Sequence, residues 1–549
     1  MAGKLFSRIS VAQHTSVGDL WVIIDSRVYD VSSFASVHPG GLAVLADREI
    51  GPRRHLGCFH DLCVLSPSLA GQDVTEQFFS LHRAEVLDRY SHLQIGILED
   101  ERPSKDPILP PGYSILIHKA GIETPGESLS GVPYADPTWL SPGYHTPYYK
   151  DHHRRFQVAV RKFVEEVVFP DAQICERGDG RPSQEVIDEL CRLNILAMKV
   201  GPGKHLEGRV LMDGIISLEQ FDAFHELILT QEFARLHARG YSDGLGGGTI
   251  IGLPPVISFA EPPLRDRIVQ DALSGKKPIC LAVTEAFAGS DVQGLRCRAM
   301  KVKGGWVVNG TKKWITNSMW AHYFTTACKA DNGEIVVLVI ERGEGVQTRP
   351  IKTAYASGAA GTGYIMFDNV WVPDGNRLGA GHPGLNIILQ NFNHERWILT
   401  SHSIAGQRII FEECFKWATQ RKVFGKPLSS QPVVRQKLAG MISRVESCQS
   451  WLENITYQMV KMSSKEQAKH LAGQIAFLKM HATKGAQITA ADAVQILGGR
   501  ALTQTGMGRF IEHNHRTSLI DAVGGGSEAV LGDLGVRQAL RSMPPQVRM

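Results

Sequence analysis

Apolar and polar residues alternate along LWVIIDSRVYDVSSF, residues 20–34, on either side of Asp25-Ser26, which predicts two short strands joined by a tight turn. Further along, HHRRFQVAVRKFVEEVVFPDAQ (152–173) and SQEVIDELCRLNILAMKV (183–200) repeat their apolar residues every three or four positions, the spacing of helices that bury one face. The pattern then changes. KPICLAVTEAFAG (277–289), CRAMKVKGGWVVNGTKKWITN (297–317) and EIVVLVIERGEGVQTRPI (334–351) are β-branched runs punctuated by glycine, and they predict strands. From Gly384 helical spacing returns and continues almost to the end.

Residues 101–146 carry no sustained period and are rich in Pro, Gly and Ser, so they read as a linker between a small module (5–100) and a large one. The large module divides by pattern into a helical part (147–277), a β part (278–382) and a second helical part (383–545). At roughly 150 residues per domain, 549 residues suffice for these parts.

Charge narrows the function. There are 59 basic and 55 acidic residues and no block of like charge, which argues against a nucleic-acid or membrane-surface role and for a small-molecule substrate. No apolar run is long enough for a transmembrane segment, and MAGKLFSRIS lacks the apolar core of a secretory signal. An intracellular protein is expected, with the cytoplasm as first choice. Mitochondrion and peroxisome stay open, although QVRM is not an S-K-L type address. Nine cysteines without a C-x-x-C pair suit a reducing compartment.

In AVTEAFAGSDVQG (282–294) a strand ends at Thr284-Glu285 and runs into a Gly-Ser-Asp turn, where a hydroxyl and turn amides are available to a heterocycle's polar edge and a phosphate chain. Together with GTKKWITN (310–317), this stretch resembles the acyl-CoA dehydrogenase flavoproteins, and the likeness covers residues 148–540. The resemblance implies a helical N-terminal domain, a central β-barrel domain and a C-terminal four-helix bundle, with FAD as cofactor and an acyl-CoA as substrate. It places Leu281, Val283 and Thr284 at the flavin ring, with Trp314, Ile315 and Thr316 walling it, and Ser290 where phosphate or pantetheine passes. Ser527 joins the cofactor set. Arg421, Phe424 and Gln431 of RKVFGKPLSSQ, and Gln495, Gly498 and Gly499 of QILGG, match positions that meet the FAD of a neighbouring subunit, which implies a homo-oligomer, dimer or tetramer. Ala501 replaces the family's usual glycine, and the segment before Gln431 is one residue short.

Desaturating a thioester requires a carboxylate within reach of the substrate's α-carbon. Most of the family carries it just before a Gly-Thr pair near the C-terminus, and in RTSLIDAVGGGSEAV that position is Gly525. A branch that includes isovaleryl-type dehydrogenases carries its glutamate on another helix, at the position of Glu395 in NFNHERWILT. Adjacent charges on a helix do not face each other, so by itself Glu395-Arg396 reads as solvated surface. The resemblance makes Glu395 the base and gives Arg396, Asn393 and Ser290 the substrate side. Asn393 replaces an aspartate common at a pantetheine contact, and Asp521 and Glu528 are the fallback bases.

Near the N-terminus, SVHPGGLAVLA (36–46) and AGQDVTEQFFSLHR (70–83) resemble cytochrome b5 over residues 6–98. That implies heme b, with His38 and His82 as axial ligands. The two histidines stand too far apart for the family, and removing 51–69 restores the usual spacing, so this stretch reads as an insertion. Within it His55, Cys58, His60 and Cys63 have zinc-like spacing, and His55 and His60 are rival heme ligands.

The expected function is FAD-dependent α,β-dehydrogenation of an acyl-CoA, with electrons passed singly to the heme or to an electron-transfer partner. The alternatives are an oxidase of the same fold acting on an acyl-CoA or a nitroalkane-like acid, and a non-catalytic heme- or steroid-binding protein.

Overall fold

The computed structural model describes residues 4–35, 69–75, 77–78, 82, 86–87, 90–99, 129–176, 178, 180–354 and 358–547. His38 and the candidate zinc residues His55, Cys58, His60 and Cys63 lie outside them.

The N-terminal module is built on a five-stranded sheet ordered β1 (Lys4–Phe6), β5 (Gln94–Leu98), β4 (Arg27–Asp30), β3 (Asp19–Ile24), β2 (Thr15–Ser16). The turn expected at Asp25-Ser26 is a two-residue hairpin loop. Both residues have positive φ (51° and 59°), matching the twist of β3 and β4. Leu20, Val22, Ile24 and Tyr29 form a small core there.

Residues 129–146, read as the end of the linker, pack onto the large module. Asp136 is clasped by Arg161 (2.7 Å), Ser130 Oγ donates to Glu412 (2.7 Å), Thr138 Oγ1 donates to Glu446 (2.9 Å), and Leu140 is buried in the main core. Pro and Gly preclude a regular element here, but they do not prevent packing.

The helical part starts with Asp151–Phe163 and includes Ala223–Ala234, buried along its whole length and capped by Asp222, whose carboxylate accepts from the Phe224 and His225 amides. The β part is a seven-stranded sheet. Its path runs β10 (Ile335–Glu341), β9 (Tyr323–Ala330), β7 (Arg298–Val302), β8 (Gly305–Ile315), β12 (Gly363–Pro373), β11 (Val346–Pro350), with β6 (Ile279–Ala282) parallel to β9. The C-terminal part is a bundle of Phe392–Gln420, Pro432–Lys461, Ala472–Leu497 and Glu528–Ser542. One hydrophobic core joins the two helical parts through Phe156, Leu227, Trp397, Leu452 and Leu478, and a second fills the sheet. Among the described residues no helix is long and apolar enough to cross a membrane.

Candidate active site

A cavity of about 750 Å³ opens where the three parts of the large module meet. Leu281, Val283, Thr284 and Ser290 line it from the end of β6 and the turn beyond; Trp314, Ile315 and Thr316 line it from the end of β8; Glu395, Arg396 and Ser527 line it from the bundle. Two distant motifs therefore share one wall, and buried polar contacts hold them together. The Lys313 amide donates to the Thr284 carbonyl (2.9 Å). The Lys312 ammonium, fully buried, donates to the Val283 carbonyl (3.0 Å) and to Glu285 Oε1 (2.7 Å), while Glu285 also accepts from the Arg296 and Cys297 amides. A buried ion pair is tolerated when its hydrogen bonds are satisfied in this way.

Trp314 adopts φ +65°, a conformation that costs a bulky residue about 1–3 kcal/mol. Its indole is left half exposed on the cavity wall. Buried Asn317 (φ +61°) stabilises the turn: its side-chain oxygen accepts from the Gly248 amide (2.7 Å) and its amide donates to the carbonyls of Asp243 and Ala360 (3.0 Å each). The hydroxyls of Thr284, Ser290, Thr316 and Ser527 have no partner among the described residues. Unpaired hydroxyls beside an aromatic wall fit the polar edge and flat face of a flavin.

Glu395 stands in the first turn of Phe392–Gln420, half-buried at the cavity, and no described side chain hydrogen-bonds its carboxylate. Burial raises its pKa above the usual carboxylate value, opposed by the nearby charges of Arg396, Lys479 and His394. Arg396 Nε donates to the Gly525 carbonyl (2.8 Å) and Nη1 to Asn393 Oδ1 (3.3 Å). Asn393 therefore reaches the site through Arg396 rather than lining the cavity. Lys479, fully buried, donates to the carbonyls of Asp521 (2.6 Å) and Gly526 (3.1 Å), and burial pulls its pKa down to about 8. The loop 524–526 is pinned from both sides. A Cβ at Gly525 would lie 3.7 Å from Glu395 Oε1, so a side chain at 525 and Glu395 address the same space.

The fallback bases are engaged elsewhere. Burial raises the pKa of Asp521, but Arg239 (2.9 Å) and His402 (3.2 Å) outweigh it and hold the carboxyl well below the usual range. Glu528 accepts from Thr483 (2.8 Å) and Gln487 (3.0 Å) and does not line the cavity.

Arg421, Phe424, Gln431, Gln495, Gly498 and Gly499 do not line it either. Phe424 stands 94% exposed (φ +51°) on the hairpin of β13 (Lys422–Val423) and β14 (Lys426–Pro427), and Gln495, Gly498 and Gly499 are exposed at the end of Ala472–Leu497. In the N-terminal module the His82 ring lies 5.0 Å from that of Phe78, and the His82 carbonyl accepts from Gln420 Nε2 (2.5 Å).

Residue-by-residue reading of the sequence passed over Lys312, Asn317 and Lys479. The last had a signal: it falls in phase with Ile475, Ala482 and Ala486 on a buried helix face, where an unexplained cation marks an internal hydrogen-bond site.

Comparison with known proteins gives the family. Residues 150–276, 280–370 and 382–540 match the family models for the N-terminal, middle and C-terminal domains of acyl-CoA dehydrogenase. An acyl-CoA dehydrogenase of Emericella nidulans is 34% identical over 427 residues, 75% of this chain and 96% of that relative. The chain belongs to the acyl-CoA dehydrogenase family. As an acyl-CoA dehydrogenase it is an oxidoreductase with FAD as its cofactor. A mitochondrial isovaleryl-CoA dehydrogenase of Oryza sativa subsp. japonica is 25% identical over 362 residues, 64% of this chain and 83% of the relative. The FAD-complexed acyl-CoA dehydrogenase structure from Bacillus anthracis shares the fold, with a TM-score of 0.65 and 22% identity over 74% of this chain and 70% of that one. Residues 7–48 match the cytochrome b5-like heme/steroid binding domain, so this acyl-CoA dehydrogenase carries a second, heme-type module. His38 falls inside that match, which ends before 51–69, and His82 lies beyond it.

Proposed function

We propose that this acyl-CoA dehydrogenase desaturates an acyl-CoA thioester between Cα and Cβ, with Glu395 as the base. The carrying observation is a cavity-facing carboxylate free of hydrogen bonds, next to a glycine at the family's usual base position. When bound, FAD supplies the acceptor for the β-hydride. Glu395 takes the α-proton onto a carboxylate oxygen, and its raised pKa makes it a stronger base than an exposed glutamate. Arg396 and Lys479 fix the 524–526 loop beside that carboxylate by binding the Gly525 and Gly526 carbonyls. Thr284, Thr316 and Ser527 offer the flavin's polar edge their unpaired hydroxyls, Trp314 covers a face, and Ser290 meets the pantetheine or phosphate chain.

The exposed Phe424, in a group that does not line the cavity, supports a homo-oligomer in which Arg421, Phe424, Gln431, Gln495, Gly498 and Gly499 meet a neighbouring copy's FAD. The b5-like module supports passage of electrons, one at a time, to a heme held by His38 and His82.

The test is Glu395→Gln, which keeps the shape of the carboxylate without its basicity. Anaerobic mixing with acyl-CoA should still perturb the flavin spectrum through binding, while flavin bleaching slows by several orders of magnitude. Near-normal bleaching removes Glu395 as base.

A further inference from the structure

The helical part contributes one group to the cavity that the proposed chemistry does not use. Lys199 follows the short helix Ile195–Met198 and is only 8% exposed, yet its ammonium has no hydrogen-bond partner among the described residues. It lies 4.0 Å above the Phe233 ring and lines the cavity beside Thr230, Ser242 and Asp243. None of these neighbours satisfies it. The Thr230 and Ser242 hydroxyls donate to the carbonyls of Glu226 and Ala238 (3.0 Å each), and Asp243 is bound by Arg239, whose other arm holds Asp521. The side chain is almost wholly buried while its ammonium opens onto the cavity, and the ring face replaces only part of its hydration. Burial lowers its pKa to about 8. Lys199, Thr230, Phe233 and Ser242 come from the helical part, whereas Glu395 and the flavin-facing hydroxyls come from the other two.

We propose that Lys199 binds an oxygen acceptor, a carbonyl or a carboxylate, at the far end of the acyl chain, which makes acyl-CoAs with an oxygenated tail the preferred substrates. The inference rests on the acyl-CoA reading of the same cavity. A hydrocarbon tail leaves the ammonium with the Phe233 ring and the charge of Asp243, which Arg239 already engages, whereas an oxygen there completes a charge-assisted hydrogen bond.

The experiment uses the FAD-loaded full chain and acyl-CoAs of one chain length ending in methyl, methyl ketone or carboxylate. Binding is read from flavin absorbance and reaction from anaerobic flavin reduction, for the native chain, Lys199→Met and Lys199→Gln. The native chain should favour an oxygenated tail over the plain one by roughly 10- to 100-fold in kcat/KM. Lys199→Met should abolish that preference, and Lys199→Gln, which keeps a donor, should retain part of it for the ketone. A carboxylate preference should fade as pH rises through about 8, where the lysine loses its proton, and a ketone preference should change less. Fast reduction by the plain chain with no tail preference overturns the subsite and leaves the dehydrogenase standing. Lysine-dependent binding of oxygenated tails without flavin reduction by any substrate supports the subsite and counts against the reaction. If Lys199→Met alters FAD affinity while tail preference stays as in the native chain, the lysine serves the flavin and the proposal fails.

Discussion

Glu395 and Gly525 contend for one position at the cavity, and their closeness makes the base assignment testable from both sides. Because burial keeps Glu395 protonated to higher pH than in the unfolded chain, the folded state holds the extra proton. Its contribution to stability is then fully present below the unfolded carboxylate pKa and is lost as pH rises through the raised folded value. Glu395→Gln should therefore raise the melting temperature at neutral pH and leave it nearly unchanged near pH 4, as a thermal scan at both values shows. Gly525→Glu puts a second carboxylate beside the first and a side chain at φ +63°. It should lower kcat/KM and move the ascending limb of its pH profile upward, because two close carboxylates resist ionising together. The double change Glu395→Gly with Gly525→Glu should recover part of the lost activity; an inert double variant means that the two positions are not equivalent. Glu395 was found by family resemblance, since its neighbours in sequence alone describe a solvated charge pair. Lys199 could not be found that way: one lysine in an apolar helical stretch looks the same whether it faces water or a cavity.

The ends of β6 and β8, which form the cavity wall proposed for the flavin, are held in place through Lys312 and Glu285. Lys312→Met removes one partner of a buried ion pair and should destabilise the chain by about 3–5 kcal/mol in urea unfolding, with loss of bound FAD. Lys312→Met combined with Glu285→Gln should cost less than the single change, since no unpaired charge remains buried. An equal or larger loss in the double variant means that the Glu285 bonds to the Arg296 and Cys297 amides dominate. The strands themselves were legible from β-branched runs between glycines. The inward direction of Lys312 was not, because register across β8 and β12 shifts at irregularities that no alternation in the sequence announces.

Across the whole molecule, the order of module, helices, sheet and helices could be read from periodicity, but the end of the linker could not. Composition reports the lack of regular structure, whereas attachment depends on single residues such as Asp136 and Leu140. Heme loading tests the other end of the chain: His38→Ala should abolish a low-spin heme spectrum and leave flavin content unchanged. Deleting 51–69 should increase heme uptake; if that deletion loses the heme, the stretch is part of the site.

The clasp formed by 129–146 also sets where the dehydrogenase body begins as a folding unit. Cutting at Thr146, near the start of the matched family domain, strips Ser130 from Glu412, Asp136 from Arg161 and Thr138 from Glu446, and uncovers the core beneath Leu140. Residues upstream of the conventional boundary thus close the surface of the body, much as a keel closes a hull. A truncation meant to remove the b5-like module and keep the body intact therefore has to stop before Ser130, not at the family boundary.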